Sequence, residues 1–172
     1  MRFIIENWRK YLEEAPEAID AITGQGTPEG RQDSINYFWD NGEEYISDEG
    51  DYARFNKKNR RDIGPWSGPG EVVTFEDPSG ETTFYFVVDA GRPTFYIAAT
   101  PHEDGVAVGN VRKSGGGFRV TDFYKWLIER HGVLYSDTQQ TPMGKKIWDR
   151  LSAEDGIEVI EAEDGRLKAI QI

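Results

Sequence analysis

The spacing of apolar residues along this 172-residue chain changes period several times, and each change marks an element. Over residues 2–14, Ile4, Ile5, Trp8, Tyr11 and Leu12 fall at intervals of three and four, which predicts an amphipathic helix. Pro16 ends it, because the residue before a proline avoids the helical region. After a glycine-bearing loop, Thr27-Pro28 predicts a second helix start, with threonine as cap and proline at the first helical position. Ile35, Phe38 and Trp39 form its apolar stripe, and Asn41-Gly42 stops it. Residues 64–70, dense in Gly, Pro and Ser, are a firm break.

From residue 72 the pattern becomes that of strands. Runs at 72–75, 82–88, 94–100 and 106–111 are rich in β-branched and aromatic residues. Turns at 77–80, 89–93 and 102–105 join them, and connections this short predict an antiparallel meander. The pattern then alternates. Val120, Phe123, Tyr124, Leu127 and Ile128 make a helical stripe that His131-Gly132 closes. Val133-Leu134-Tyr135 is a short strand. Thr141-Pro142 opens a helix carrying Met143, Ile147 and Leu151, with Trp148 beside them. Two strands, 157–160 and 167–172, flank a hairpin turn at 163–165. No internal repeat is visible. The fold class is α/β in the α+β sense: a mixed, mostly antiparallel sheet flanked by helices. Residues 1–15 are an N-terminal helix, and 16–172 form one domain.

Composition narrows the function classes. Nine Phe, eight Tyr and five Trp supply a core despite a hydrophobic fraction of only 37%. A net charge of −11 disfavours nucleic acid as a partner. The chain has no cysteine, hence no disulfide framework and no thiolate chemistry, and cytosol is the simplest compartment. No apolar run approaches the ~20 residues of a membrane span, and the N-terminus lacks a signal-peptide core. His102 and His131 are far apart in sequence with no histidine or cysteine at ligand spacing, so no metal is expected. Acidic residues over 40–51 followed by basic ones over 54–61 read as a solvated, partly self-neutralising region.

The most informative stretch is Arg112-Lys113-Ser114-Gly115-Gly116-Gly117-Phe118-Arg119. It lies between the strand ending at Val111 and the helix starting at Val120. A strand, a glycine loop and a helix N-terminus together offer free N–H groups and close backbone approach to a phosphate. Over 112–130, five bases (Arg112, Lys113, Arg119, Lys125, Arg130) face two acids (Asp122, Glu129), a positive island in an acidic chain.

This order of elements, with Arg112-x-x-Gly115-x-Gly117 in the loop, resembles the GCN5-related N-acetyltransferase (GNAT) family over residues 71–172. The resemblance implies an acyl-CoA N-acyltransferase-like fold in which antiparallel strands lead to a central strand, a pyrophosphate loop, a helix, a splayed strand, a helix and closing strands. It implies acetyl-CoA as cofactor, held by residues Val111 to Arg119 (Arg112, Lys113, Ser114, Gly115, Gly116, Gly117 and Phe118 between them). It further implies acyl transfer to an amine of a small molecule or a protein. Two departures stand out. The later helix of the family often carries a tyrosine that protonates the leaving thiolate, and the matching position here is Trp148. Tyr135 is the nearest substitute along the chain. The base that deprotonates the amine has no fixed match; Glu103, His102 and Asp137 are the candidates.

Residues 1–15, with Leu12-Glu13-Glu14, are similar to helical leaders of tailed-phage proteins that are cleaved after such a tripeptide. The stretch 135–148 also looks like a segment of acetyltransferase-like phage proteins. That likeness implies a second possible role: a catalytically degenerate member acting in the virion, on the capsid or on a host protein, with the host cytoplasm or the virion as its location.

Overall fold

The computed structural model describes residues 28–45, 52–115 and 117–172. The predicted helix at 2–14, its leader tripeptide and Gly116 lie outside them. Chain order among the described residues is α1 (Pro28–Asn41), β1 (Glu43–Tyr45), β2 (Tyr52–Arg54), a 3-10 turn (Lys57–Asn59), β3 (Arg61–Pro65), β4 (Glu71–Glu76), β5 (Thr83–Asp89), β6 (Arg92–His102) and β7 (Gly105–Lys113). There follow α2 (Val120–His131), β8 (Val133–Tyr135), α3 (Pro142–Ser152), β9 (Ile157–Glu161) and β10 (Leu167–Gln171). No helix among them is long and apolar enough to cross a membrane.

Strands β1 and β2 pair as a separate hairpin, and the other eight form one sheet in the order β3-β4-β5-β6-β7-β8-β10-β9. Every neighbouring pair is antiparallel except β7 and β8. The meander from β4 to β7 is therefore as the pattern predicts. Two differences have physical causes. Strand β3 runs into the expected break at 64–70, because Arg61–Pro65 can ladder along the free edge of β4, with a register shift at Gly64. Strand β6 also includes Arg92 and Pro93, read from sequence as turn; Pro93 pairs beside a register shift, where a missing N–H costs the ladder least.

Alternation of side chains along the strands sorts the core into two layers. Val72, Tyr85, Val87, Phe95, Ile97, Val106 and Val108 point to one face, where Phe123, Tyr124, Leu127 and Ile128 of α2 and Trp148 and Leu151 of α3 cover them. Val73, Phe75, Phe84, Phe86 and Tyr96 point to the other face, under Ile35 and Phe38 of α1. Strands covered on both sides read as continuous apolar runs, which is why 82–88 shows no polar alternation. In α3 the buried stripe is Trp148 and Leu151, while Met143 is 65% exposed. The sequence pattern counted Met143 into the core, but it lies in the first turn, beyond the area that α2 covers.

Gly132 stops α2 with a φ of 83°, and its N–H donates to the Ile128 carbonyl. Just before it, His131 Nε2 lies 2.9 Å from the Tyr85 hydroxyl. Burial, and secondarily the charge of Arg130, holds the His131 pKa below its ordinary 6.5. A lowered folded-state pKa means the unfolded chain binds the proton more readily. The contribution is fully present above the unfolded value and is lost as pH falls through it toward the folded value. Urea midpoints are thus expected to fall between about pH 7 and about pH 5, with a smaller fall in His131→Gln. An equal slope in both proteins would assign the acid sensitivity elsewhere.

Candidate functional site

Strands β7 and β8 run parallel and pair only at Val106–Leu134 and Ala107–Tyr135. Past Ala107, no strand among the described residues pairs with that edge of β7, although β7 continues to Lys113. Strand β8 itself ends at Tyr135, so from Gly109 onward this edge of β7 has no strand partner among the described residues, a gap in the ladder. A bulge sits just beyond the positions paired with β8. Ala98 pairs with Gly109 and Tyr96 with Arg112, so Asn110 and Val111 together oppose Ile97. Asn110 is the one residue of β7 with a positive φ, 54°. The extra residue resets the alternation: Val111 joins the α2-side core, and Arg112 turns toward α1.

The loop after β7 is held from both sides. The Ser114 N–H donates to the Thr94 carbonyl, and the Ser114 hydroxyl to Gln32 Oε1 at 2.6 Å. Gln32 in turn donates to the Pro93 carbonyl and to Asn36, which locks α1 against the loop. Arg112 Nε donates to the Ser34 hydroxyl. Phe118 is buried against Trp66 and Phe95. Between these anchors Gly115 and Gly117 have φ of 63° and 67°, conformations that a side chain disfavours, and a Cβ at either would meet no atom within 4 Å. Lys113 lies over the Phe118 ring, with its ammonium donating to the Gly115 carbonyl, and burial pushes its pKa down. Open hollows of about 510 and 560 Å³ flank the loop, one against Trp126 and Lys125 of α2, the other against Gln32 and Thr94.

The positive island is less free than residues 112–130 alone indicate. Arg119 forms ion pairs with Asp122 and Glu154, both at 2.8 Å, and Lys125 pairs with the same Glu154 at 3.1 Å. Glu154 follows α3 and lies outside residues 112–130. Asp122 also accepts the Arg119 N–H at the start of α2. In the first turn of that helix Thr121 is buried, 2% exposed, and its hydroxyl has no partner among the described residues.

The four candidate catalytic residues separate into two places, with His102 beside Tyr135 and Glu103. Asp137 lies at the gap: a Cβ on Gly109 would stand 3.2 Å from its carboxylate. Its charge also reaches Tyr124 on α2, whose phenol pKa is raised by burial first and by Asp137 second. Tyr135 and Glu103 come together elsewhere. Leu134, Val106 and Ala169 face α2, so their neighbours Tyr135, Ala107 and Lys168 face the opposite side. There the Tyr135 hydroxyl donates to Asp104 and, at 3.0 Å, to Glu103. Desolvation, then the hydrogen bond to Asp104, pushes its pKa up to about 12. This cluster lies at the Gly105 end of β7, about 25 Å along the strand from the loop.

Trp148, at the position where the resemblance implies a tyrosine, is 3% exposed, and its ring packs 5.6 Å from that of Tyr124. In the sequence Tyr124 is part of the apolar stripe of α2. Its position in the α2 stripe gave no sign that its phenol would lie near a carboxylate from the β8–α3 connection. No protein-family model matches this chain, and no curated protein matches it at a significant level.

Proposed function

We propose that the gap between β7 and β8 binds the pantetheine arm of acetyl-CoA, in an acyl-CoA N-acyltransferase-like fold, and that the loop after β7 takes its pyrophosphate. The edge of β7 left without a strand partner past Ala107, with a glycine loop and a helix N-terminus at its far end, carries this reading. The donor set suits the group: backbone N–H groups at Gly115 and Gly117 and the Lys113 ammonium, next to the start of α2. Bound acetyl-CoA would supply an activated thioester acyl group. The exposed edge of β7 past Gly109 would orient it through backbone hydrogen bonds. Asp137 would accept the proton of the incoming amine, and Tyr124, kept protonated by burial and by Asp137, would hold a proton at its phenol oxygen. Tyr135 and Glu103 hydrogen-bond to each other at a distance from the gap and take no part in this step.

A calorimetric titration of the full chain with acetyl-CoA tests the reading. One-site binding is expected, weakened about tenfold in Lys113→Ala through loss of a charge-assisted hydrogen bond. Absence of heat from folded protein would overturn it. A second reading rests on Arg112, Arg119 and Asp122, which bond within the protein at the loop and the start of α2. On that reading the fold persists without turnover and serves as a virion or host-interaction factor. Acetyl-CoA binding with no acyl transfer to any amine acceptor distinguishes it.

A further inference from the structure

The turn between β6 and β7 and the turn between β9 and β10 meet at the end of the sheet, bringing together residues more than sixty apart in sequence. His102 Nε2 stands 3.0 Å from Asp164 Oδ2 and 4.0 Å from Glu103 Oε1, and one ligand atom from each of the three lies within 4.8 Å of the others. We propose that His102, Glu103 and Asp164 form a binding site for a divalent transition-metal ion of the zinc type.

Three features support it. The first is the donor set. One imidazole nitrogen and two carboxylates suit zinc, nickel or cobalt, whereas magnesium and calcium favour oxygen alone. Two carboxylates also offset the charge of a dication. The second is spacing. A tetrahedral zinc about 2.1 Å from each ligand holds them roughly 3.4 Å apart. The His102–Asp164 spacing is already close to that, and Glu103 is largely exposed, free to move the remaining distance. The third is how the carboxylates are aimed. Asp164 Oδ1 accepts the Arg166 N–H, which leaves Oδ2 toward His102. Glu103 Oε2 accepts the hydroxyl of Tyr135, a residue with no exposed surface, which leaves Oε1 toward His102. Such outer contacts orient metal ligands. The Arg166 guanidinium, 3.2 Å from Asp164 Oδ2, competes with the ion; it also donates to the Ser136 carbonyl and can keep that partner when the ion takes Asp164.

The test uses the full chain, stripped with EDTA and titrated calorimetrically with zinc chloride. Saturable binding of one ion per chain is expected, with an accompanying rise in the thermal midpoint, because the ion ties two turns that flank β8. His102→Ala and Asp164→Asn should each abolish saturation in the same range, and Tyr135→Phe should weaken binding about tenfold. His131→Gln, away from the cluster, should bind as the parent does. Two variants are used so that misfolding of one, checked by circular dichroism, does not leave the question open. No saturable heat in the parent, or saturation that survives in whichever of the His102 and Asp164 variants is folded, would overturn the proposal.

Discussion

Phe38→Ala is expected to lower the unfolding free energy by about 4 kcal/mol, the largest loss from any single truncation on the α1 side. Phe38 has no exposed surface, and its ring lies 4.7–5.6 Å from those of Phe55, Phe84, Phe86 and Tyr96. Three of the four contacts are edge-on or tilted onto rings of the sheet, an arrangement that adds to simple area burial. Removing it leaves a cavity under a helix held by few other apolar contacts, chiefly Ile35 and the half-buried Trp39. Domains of this size have about 5–15 kcal/mol of stability in all, so the variant should unfold at clearly lower urea. The effect should extend to the glycine loop, because Gln32 and Ser34 of the same helix hold Ser114 and Arg112. Urea denaturation followed by tryptophan fluorescence gives the energy. A loss under 1 kcal/mol would mean that α1 does not pack as described.

The second large effect is expected at Gly105. A Cβ there would stand 2.2 Å from the Val133 carbonyl oxygen and 2.8 Å from its carbon, both backbone atoms that cannot swing aside. Gly105→Ala must therefore push β8 away from β7 at the point where the sheet changes from antiparallel to parallel. Overpacking of this kind costs about 3 kcal/mol. Unlike Phe38→Ala, it should also disturb the pairing of Val106 with Leu134, and so the place where the gap begins. Hydrogen exchange at the amides of Val106, Ala107 and Leu134 reads this directly. Unchanged protection there would show that the approach of the two strands is not tight.

Much of the fold is legible in the residues. The runs at 82–88 and 106–111, the Gly132 stop and the Thr141-Pro142 start each carry a local cause, such as β-branching, a left-handed glycine or a cap. Strand β3 is not legible, because Arg61–Pro65 has no apolar alternation and owes its form to the edge of β4. The bulge at Asn110 is also hidden: one extra residue in a run of small and β-branched ones leaves no trace in composition. Around the site, the loop at 112–119 is visible as a pattern, but the partners of its charges are not. Glu154, Ser34 and Gln32 reach it from other elements. The His102–Asp164 pairing is of the same kind, since residues 62 apart meet only once the sheet order is fixed.

That order has a further consequence, for the sequence of folding events. The meander from β3 to β7 consists of neighbours in sequence, whose pairing closes short loops and is fast. Strand β10 comes last along the chain, yet it lies inside the sheet, between β8 and β9. The three-residue β8 thus has only two paired positions, on its β7 side, until Lys168 to Ile170 of β10 arrive to pair with Val133 to Tyr135. Of these strands, β9 and β10 can form a hairpin first and dock as a unit. On a ribosome, the half of the sheet beyond β7 stays open until residues 167–171 have emerged from the exit tunnel, however early the meander has closed.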